Sequence, residues 1–258
     1  MTASELLLDA RLQRQRLAQL PAEAQPADAE QAYMSQAHYV ERLTSHFGGQ
    51  TIGYKIACTN EVAQRLLRVS EPFHGRLLSA FCQVSPAHFR ADEFFMRVME
   101  AEFAFRFAKD LPASNKLASR EQIVGALEGV LPSLEIVDSR YTTWTDMNAA
   151  ALIADNAAHG AWVRGALVSD WRDIDLAAQT VELHVNGKMV ETGSGAAVLG
   201  HPLNALGWLV RRLHQRGTGL RAGEYVTTGV TTDIFLAAAG DHVLANFGAL
   251  GTAEVSFD

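Results

Sequence analysis

The residues of this chain best placed to do chemistry are three glutamates and a lysine. Glu100 and Glu102 lie in the stretch 97–107, Glu135 in the stretch 131–140, and Lys55 in the stretch 51–60. Read with period two, Met99, Ala101, Phe103, Phe105 and Phe107 share one face of 97–107, and Val98, Glu100, Glu102, Ala104 and Arg106 share the other. This alternation predicts a strand with one packed face. In a strand Glu100 and Glu102 point the same way, with Cα atoms roughly 6.5–7 Å apart at about 3.3 Å per residue. Two carboxylates on one face of an otherwise apolar strand repel unless a cation or a proton neutralises them. Oxygen ligands of this kind suit Mg²⁺ or Mn²⁺. An isolated Glu-x-Glu on a strand is ordinarily a solvated face, so the decision falls to the rest of the chain. Glu135 is a third carboxylate in an apolar, strand-like run, and three oxygens plus waters complete a typical Mg²⁺ shell. Lys55 has apolar and small neighbours, so it either snorkels from an edge strand or is buried close to compensating carboxylates.

Composition bounds the possibilities. The 258 residues are 48% hydrophobic and 20% charged, an ordinary profile for a soluble globular chain. A formal charge of −7 gives no basic footprint for nucleic acid. No apolar run approaches the roughly 18–20 residues needed to cross a bilayer, and the N-terminal residues lack a basic region followed by an apolar core. Cys58 and Cys82 are the only cysteines; they follow no metal-ligand spacing, which suits a reducing cytoplasm. The nine histidines include no H-x-x-x-H pair, and neither a G-x-G-x-x-G nor a Walker-type loop is present, disfavouring zinc sites of the usual spacing and nucleotide cofactors.

The elements that must position these residues can be read in order. Residues 4–19 predict an amphipathic helix ended by Pro21. Asp28 is a natural N-cap for a second helix running to Phe47, stopped by Gly48-Gly49. A strand from Thr51, a helix over 61–69, a turn at 71–75 and the strand at 97–107 follow. Then come a helix over 120–129, strands near 131–140 and 162–168, and a helical or turn-like segment at 149–157. Asn186-Gly187 between two alternating runs marks a hairpin. Residues 200–217 read as an amphipathic helix, with His201 at its start as a capping or packing residue. Strands at 225–228, 242–247 and 252–257 close the chain. Many short strands, few helices and no βαβ alternation predict an α+β fold with a mixed, mostly antiparallel sheet, rolled or sandwiched. Residues 1–50 form a helical lead-in packed on a single compact unit, 51–258.

Six segments in register now acquire a collective meaning: Gly53-Tyr-Lys-Ile56, Met99-Glu-Ala-Glu-Phe103, Leu131-Pro-Ser-Leu-Glu-Ile-Val-Asp-Ser-Arg140, Ala154-Asp-Asn156, Leu199-Gly-His-Pro-Leu-Asn204, and the closing Ala239-Gly-Asp241, Phe247-Gly248 and Leu250-Gly251. In this order the chain resembles the 2-keto-4-pentenoate hydratase and 4-oxalocrotonate decarboxylase branch of the fumarylacetoacetate hydrolase superfamily. The resemblance implies that Glu100, Glu102 and Glu135 ligate Mg²⁺ or Mn²⁺ and that Lys55 is the active-site lysine. It implies a small 2-oxo or 2-hydroxy-dienoic acid as substrate, held through its carboxylate and C2 oxygen, and an assembly of identical subunits. The reaction implied is hydration to a 4-hydroxy-2-oxo acid in aromatic-compound catabolism. Decarboxylation of a 4-oxalocrotonate-like diacid and hydrolysis of an acylpyruvate are the alternatives. Two departures from the family pattern stand out. The Pro-Asp-aromatic-Gly motif reads Pro72-Phe73-His74-Gly75, so Phe73 replaces the acid and His74 becomes the candidate acid/base. Val230 stands where a serine often follows Gly229, leaving Thr231 and Thr232 as nearby hydroxyls. Asp155 and Asn156 are candidates either for touching substrate or for bracing loops.

Overall fold

The computed structural model describes residues 1–114 and 116–258. The chain opens with helices α1 (Ala3–Leu12) and α2 (Ala29–Phe47). Strand β1 (Thr51–Ala57), helix α3 (Glu61–Leu67), and strands β2 (Phe73–Leu78), β3 (Cys82–Val84), β4 (Ala87–Phe89) and β5 (Val98–Phe107) follow. Helix α4 (Arg120–Ala126), strand β6 (Leu127–Val137), helix α5 (Ala149–Ala154) and strands β7 (His159–Arg164), β8 (Thr180–Val185) and β9 (Lys188–Ser194) form the middle. Helix α6 (Pro202–Gln215) and strands β10 (Tyr225–Val230), β11 (Phe235–Leu236), β12 (His242–Asn246) and β13 (Thr252–Phe257) complete it.

Two sheets result. The larger has the order β2-β1-β10-β5-β6-β7-β3, with β11 pairing on β5; the smaller has the order β4-β13-β12-β8-β9. Pairing is mostly antiparallel, with β1·β10, β3·β7 and β4·β13 parallel. This is the mixed α+β architecture expected, with the larger sheet curled. Met99, Ala101, Phe103, Phe105 and Phe107 of β5 join Leu183, Val243, Phe247 and Val255 in the main core, so one face of the larger sheet packs on the smaller one. The expectation of a single packed face on β5 needs correction. Val98 and Ala104 on the other face are also buried, in smaller clusters with Val137 and Ala158 and with Leu77, Leu131 and Trp162. Glu100 and Glu102 therefore project from a largely closed face.

Several boundaries differ from the sequence reading for local reasons. Helix α1 stops at Leu12 and not near residue 19, because the chain turns through a left-handed Arg14 at φ 54°. The segment 71–75 is not only a turn: from Phe73 it is strand, paired antiparallel with β1. Strand β6 begins at Leu127, four residues early, and accommodates Pro132 opposite Phe103. The later strand occupies His159–Arg164, upstream of 162–168. Other expectations hold. Asp28 caps α2 through a 2.9 Å bond from the Gln31 N–H, and Asn186 and Gly187 both take positive φ in the β8–β9 turn. The His201 Nδ1 accepts from the Leu203 N–H at the start of α6.

The N-terminal helices are docked on the sheet-bearing body. Tyr39, Val40 and Leu43 of α2 pack with Leu7 of α1, Leu78 and Tyr141. The buried Gln36 amide donates to the carbonyls of His74 and Ile153.

Candidate metal centre and active site

The β5–β6 ladder sets Glu100 directly opposite Glu135, and Glu102 opposite Ser133. Two positions on one strand and the cross-strand partner of the first make a triangle on a single face of the sheet. One carboxylate oxygen from each lies within 4.8 Å of the others. Glu102 and Glu135 are fully buried and Glu100 is partly exposed. Glu102 Oε2 accepts the Gly229 N–H at 2.8 Å. Gly229 sits where the β10–β5 register slips, with φ +98°, and a Cβ there would overlap the Thr59 side chain. This glycine is required on both counts.

Lys55 lies on β1, which is separated from β6 by β10 and β5. In a flat sheet three strand spacings would set Lys55 and Glu135 roughly 14 Å apart at about 4.8 Å each. The observed Nζ to Glu135 Oε1 distance is 2.8 Å, so the sheet curls about this face and closes it around the ammonium. Lys55 is not an edge residue; β2 and β10 flank its strand. Its Nζ also donates to the Ala157 carbonyl at 2.9 Å. An ammonium has three N–H donors; two are engaged, one is left over, and Lys55 is among the residues that line the neighbouring cavity.

The Ala157 carbonyl is presented by an unusual turn. Asn156, Ala157 and Ala158 have φ of 52°, 53° and 55°, three successive non-glycine residues in the left-handed region, each costing roughly 1–2 kcal/mol. Two anchors hold the turn. On one side the buried Asp155 is ion-paired with Arg140 Nε and accepts from the Ser139 hydroxyl and the Arg140 N–H. Arg140 also donates to the carbonyls of Asp155 and His159. On the other side the Asn156 amide both accepts from the Arg76 N–H and donates to the Arg76 carbonyl. Gly75, opposite Lys55 in the ladder, permits this approach, since a Cβ there would lie 2.5 Å from the Asn156 carbonyl oxygen. The turn delivers His159, whose Nδ1 lies 3.2 Å from Glu135 Oε1.

The electrostatics follow from burial. Desolvation raises Glu100 to about 7, with Lys55 opposing and Glu135 adding to the rise. Glu102 is raised well above the ordinary carboxylate value by burial and then by Glu135 and Glu100. Burial works against Glu135 too, but Lys55 and His159 hold it below its ordinary value. Burial likewise opposes the Lys55 ammonium, and the three carboxylates overcome it to raise its pKa. One lysine cannot balance three carboxylates. Glu102 Oε1 and Glu135 Oε2 are buried with no hydrogen-bond partner among the described residues. A hard divalent cation resolves both the excess negative charge and the unpartnered oxygens, so the donor set fits one.

Beside the triad is a cavity of about 70 Å³ bounded by Lys55 and Glu100 at one end. Not every residue expected at the site reaches it. His74 does not. Lys55 and Ala57 pair with Gly75 and Phe73, so alternation puts Phe73 on the Lys55 face and His74 on the reverse. There the His74 ring stacks on Tyr33 at 4.4 Å and meets Tyr54 edge-on, with burial lowering its pKa to about 3. The reading of His74 as acid/base is corrected accordingly. Asp155 and Asn156 brace the turn and do not line the cavity. The Thr231 hydroxyl is spent on the Ala101 carbonyl and that of Thr232 on the Asp233 carbonyl; neither residue lines the cavity. Sequence reasoning missed His159, Arg140 and Trp144 as site residues; Phe73 was noted only as a departure from the family pattern, and Arg140 only as the end of a motif that also carries Glu135 and Asp138.

The geometry is a carboxylate cluster fitted to a divalent cation, set beside a small cavity. Residues 96–257 match the fumarylacetoacetate (FAA) hydrolase C-terminal family, and the chain belongs to the fumarylacetoacetate hydrolase family. It is 34% identical over 230 residues to a 2-hydroxyhexa-2,4-dienoate hydratase of Comamonas testosteroni, covering 88% of this chain and 86% of that protein. It is 32% identical over 251 residues to a 2-keto-4-pentenoate hydratase of Paraburkholderia phymatum, covering 97% and 94%. Among solved structures, 4-oxalocrotonate decarboxylase from Pseudomonas putida G7, complexed with magnesium and adipate, superposes with a TM-score of 0.90 at 26% identity. That likeness covers 99% of this chain and 96% of the other.

Proposed function

We propose that the chain is a divalent-metal-dependent hydro-lyase that hydrates a short 2-hydroxy-dienoic acid to a 4-hydroxy-2-oxo acid, with Mg²⁺ or Mn²⁺ held by Glu100, Glu102 and Glu135. The observation that carries this reading is the triad itself: three carboxylate oxygens within 4.8 Å of one another, beside a cavity that Glu100 and a buried lysine line. The hydratases named above, each more than 30% identical, support it. A bound cation supplies Lewis-acid polarisation and a template for the substrate's C1 carboxylate and C2 oxygen.

The protein's own groups act on the charge that develops as the protons move. Lys55, fixed by Glu135 and the Ala157 carbonyl, directs its remaining N–H toward the place where charge develops on the C2 oxygen. As the dienol ketonises, the hydroxyl proton leaves, C5 gains one, and the double bond becomes C3–C4, conjugated with the ketone. Water then adds across C3–C4, its hydroxyl to C4 and, in the net balance, its proton to C3, with the Lys55 ammonium stabilising the enolate between the two events. Burial of the turn and of the β6–β7 face keeps bulk water from that ammonium. His159 holds Glu135 in orientation and takes no part in bond making. The small-molecule partner is thus a 2-oxo or 2-hydroxy acid; a homo-oligomer and a cytoplasmic location are the companion proposals. No helix among the described residues is long and apolar enough to cross a membrane.

The test is an ultraviolet assay following loss of the conjugated dienol of 2-hydroxypenta-2,4-dienoate. Activity should require Mg²⁺ or Mn²⁺, vanish with chelator and return on metal addition. Glu102→Gln should abolish turnover without unfolding the protein. Full activity in that variant would remove the metal assignment.

A further inference from the structure

The end of the cavity away from the triad is apolar, and this bears on which acids it takes. Of the side chains that line it, only Lys55 and Glu100 carry charge, and both stand at the metal end. Leu66 and Leu67 of α3, Phe73 of β2, Trp144, Leu152 of α5 and Ile234 form the remainder of the wall with alanines and valines. The Trp144 indole N–H and the Cys58 thiol are the only side-chain donors there, and burial pushes that thiol up to about 12. Nearby arginines face elsewhere. Arg65, beside Leu66, pairs with Glu61 at the surface, and Arg212 pairs with Glu71. Arg76 pairs with Glu224 and lies over the Tyr54 ring.

We infer that this apolar end receives the tail of a monocarboxylic substrate, with an alkyl or vinyl terminus against Phe73 and Leu152 beneath the Leu66 rim, and rejects 2-oxo diacids whose second carboxylate would occupy the same place. The inference rests on the proposed function, because it takes the metal end as the anchor for the carboxylate and C2 oxygen. A carboxylate carried against the buried Phe73 and Leu152 side chains would lose its water and meet no cation. An apolar terminus of the same length loses nothing there and is favoured by burial. Phe73 is the decisive residue. Alternation along β2 aims its ring, and not the His74 imidazole, at the cavity.

The experiment uses two unreactive ligands of equal length, 2-oxohexanoate and 2-oxohexanedioate, titrated calorimetrically into the Mg²⁺-loaded protein. They differ only in a terminal methyl or carboxylate. The monoacid is expected to bind more tightly by on the order of 100-fold. Leu66→Arg, at a half-exposed rim position, adds a guanidinium to this end. It should narrow the ratio about tenfold with little change in melting temperature. Equal or tighter binding of the diacid overturns the inference while leaving the metal-site reading intact, and makes loss of CO₂ from a diacid the better reaction. A ratio unmoved by Leu66→Arg overturns the placement of the tail beneath α3. Failure of both ligands to bind in the presence of Mg²⁺ overturns the inference together with the proposed function.

Discussion

Glu135 stands directly across the β5–β6 ladder from Glu100, a like-charge pair at the position of closest side-chain approach between two strands. Such a pair destabilises a sheet, and here Glu102 on the same face adds to the repulsion. The metal-free protein should therefore carry a local electrostatic cost that cation binding removes. Glu100→Gln is expected to raise the stability of the metal-free protein by about 1–2 kcal/mol while abolishing the rise in melting temperature that Mn²⁺ gives the parent. Thermal melts of both proteins with chelator and with millimolar Mn²⁺ decide this. A metal-free variant less stable than the parent would show that the pair is relieved in some other way.

Lys55 separates catalysis from metal binding. Its contacts with Glu135 and the Ala157 carbonyl hold it in place, yet it is not a ligand. Lys55→Met should lower kcat by about 10²–10³-fold, the usual worth of one donor aimed at developing charge. Metal binding should persist, because removing the ammonium removes a competitor for the carboxylates. Mn²⁺ binding followed by electron paramagnetic resonance, beside the ultraviolet assay, gives the two readouts. Loss of both together would make Lys55 structural.

The carboxylate cluster was legible because its pattern is local. Period-two alternation puts Glu100 and Glu102 on one face whatever the rest of the chain does, and the position of Glu135 follows from a second apolar strand. Pairing was not legible. Reading 71–75 as a turn hid the strand that begins at Phe73, and with it the alternation that turns His74 away from Lys55. The burial of both faces of β5 depends on a second sheet assembled from β4, β8, β9, β12 and β13, which no local window contains. His159 reaches Glu135 only through a left-handed turn pinned from Arg140 and Arg76. Those contacts span up to 80 residues, and their backbone conformation runs against the preference of alanine.

That turn gives a prediction of its own. Asp155→Ala leaves the buried Arg140 guanidinium without its carboxylate and should cost about 3–5 kcal/mol in urea unfolding. Asn156→Gly is the more informative change. Glycine adopts the required φ readily, relieving roughly 1 kcal/mol of strain, but both bonds to the Arg76 backbone are lost. Stability should change little, while kcat falls about tenfold because the Ala157 carbonyl no longer fixes Lys55. Unchanged turnover in Asn156→Gly would show that the Arg140–Asp155 pair holds the turn unaided.

His74 makes the acid limb of stability testable away from the metal. Burial, and then Arg76, Arg216 and Arg212, lower its pKa to about 3, and neither ring nitrogen has a hydrogen-bond partner among the described residues. The sign follows from proton uptake. Below its ordinary value near 6.5 the unfolded chain binds a proton at this histidine and the folded protein does not. Stability is therefore whole above pH 6.5 and declines as pH falls from there toward 3. Between pH 6.5 and 5 the contribution is about 2 kcal/mol at roughly 1.4 kcal/mol per pH unit. His74→Phe keeps the stack on Tyr33 and removes the titrating group, so its stability should fall about 2 kcal/mol less than the parent's across that interval. His159, also lowered by burial, is present in both proteins and cancels in the comparison. Turnover at neutral pH should stay within about threefold, because the ring lies on the reverse face of β2 from the cavity. Parallel urea titrations at the two pH values make the measurement. An identical acid loss in parent and variant would mean that His74 is solvated or paired in solution, and a collapse of kcat would return it to the active site.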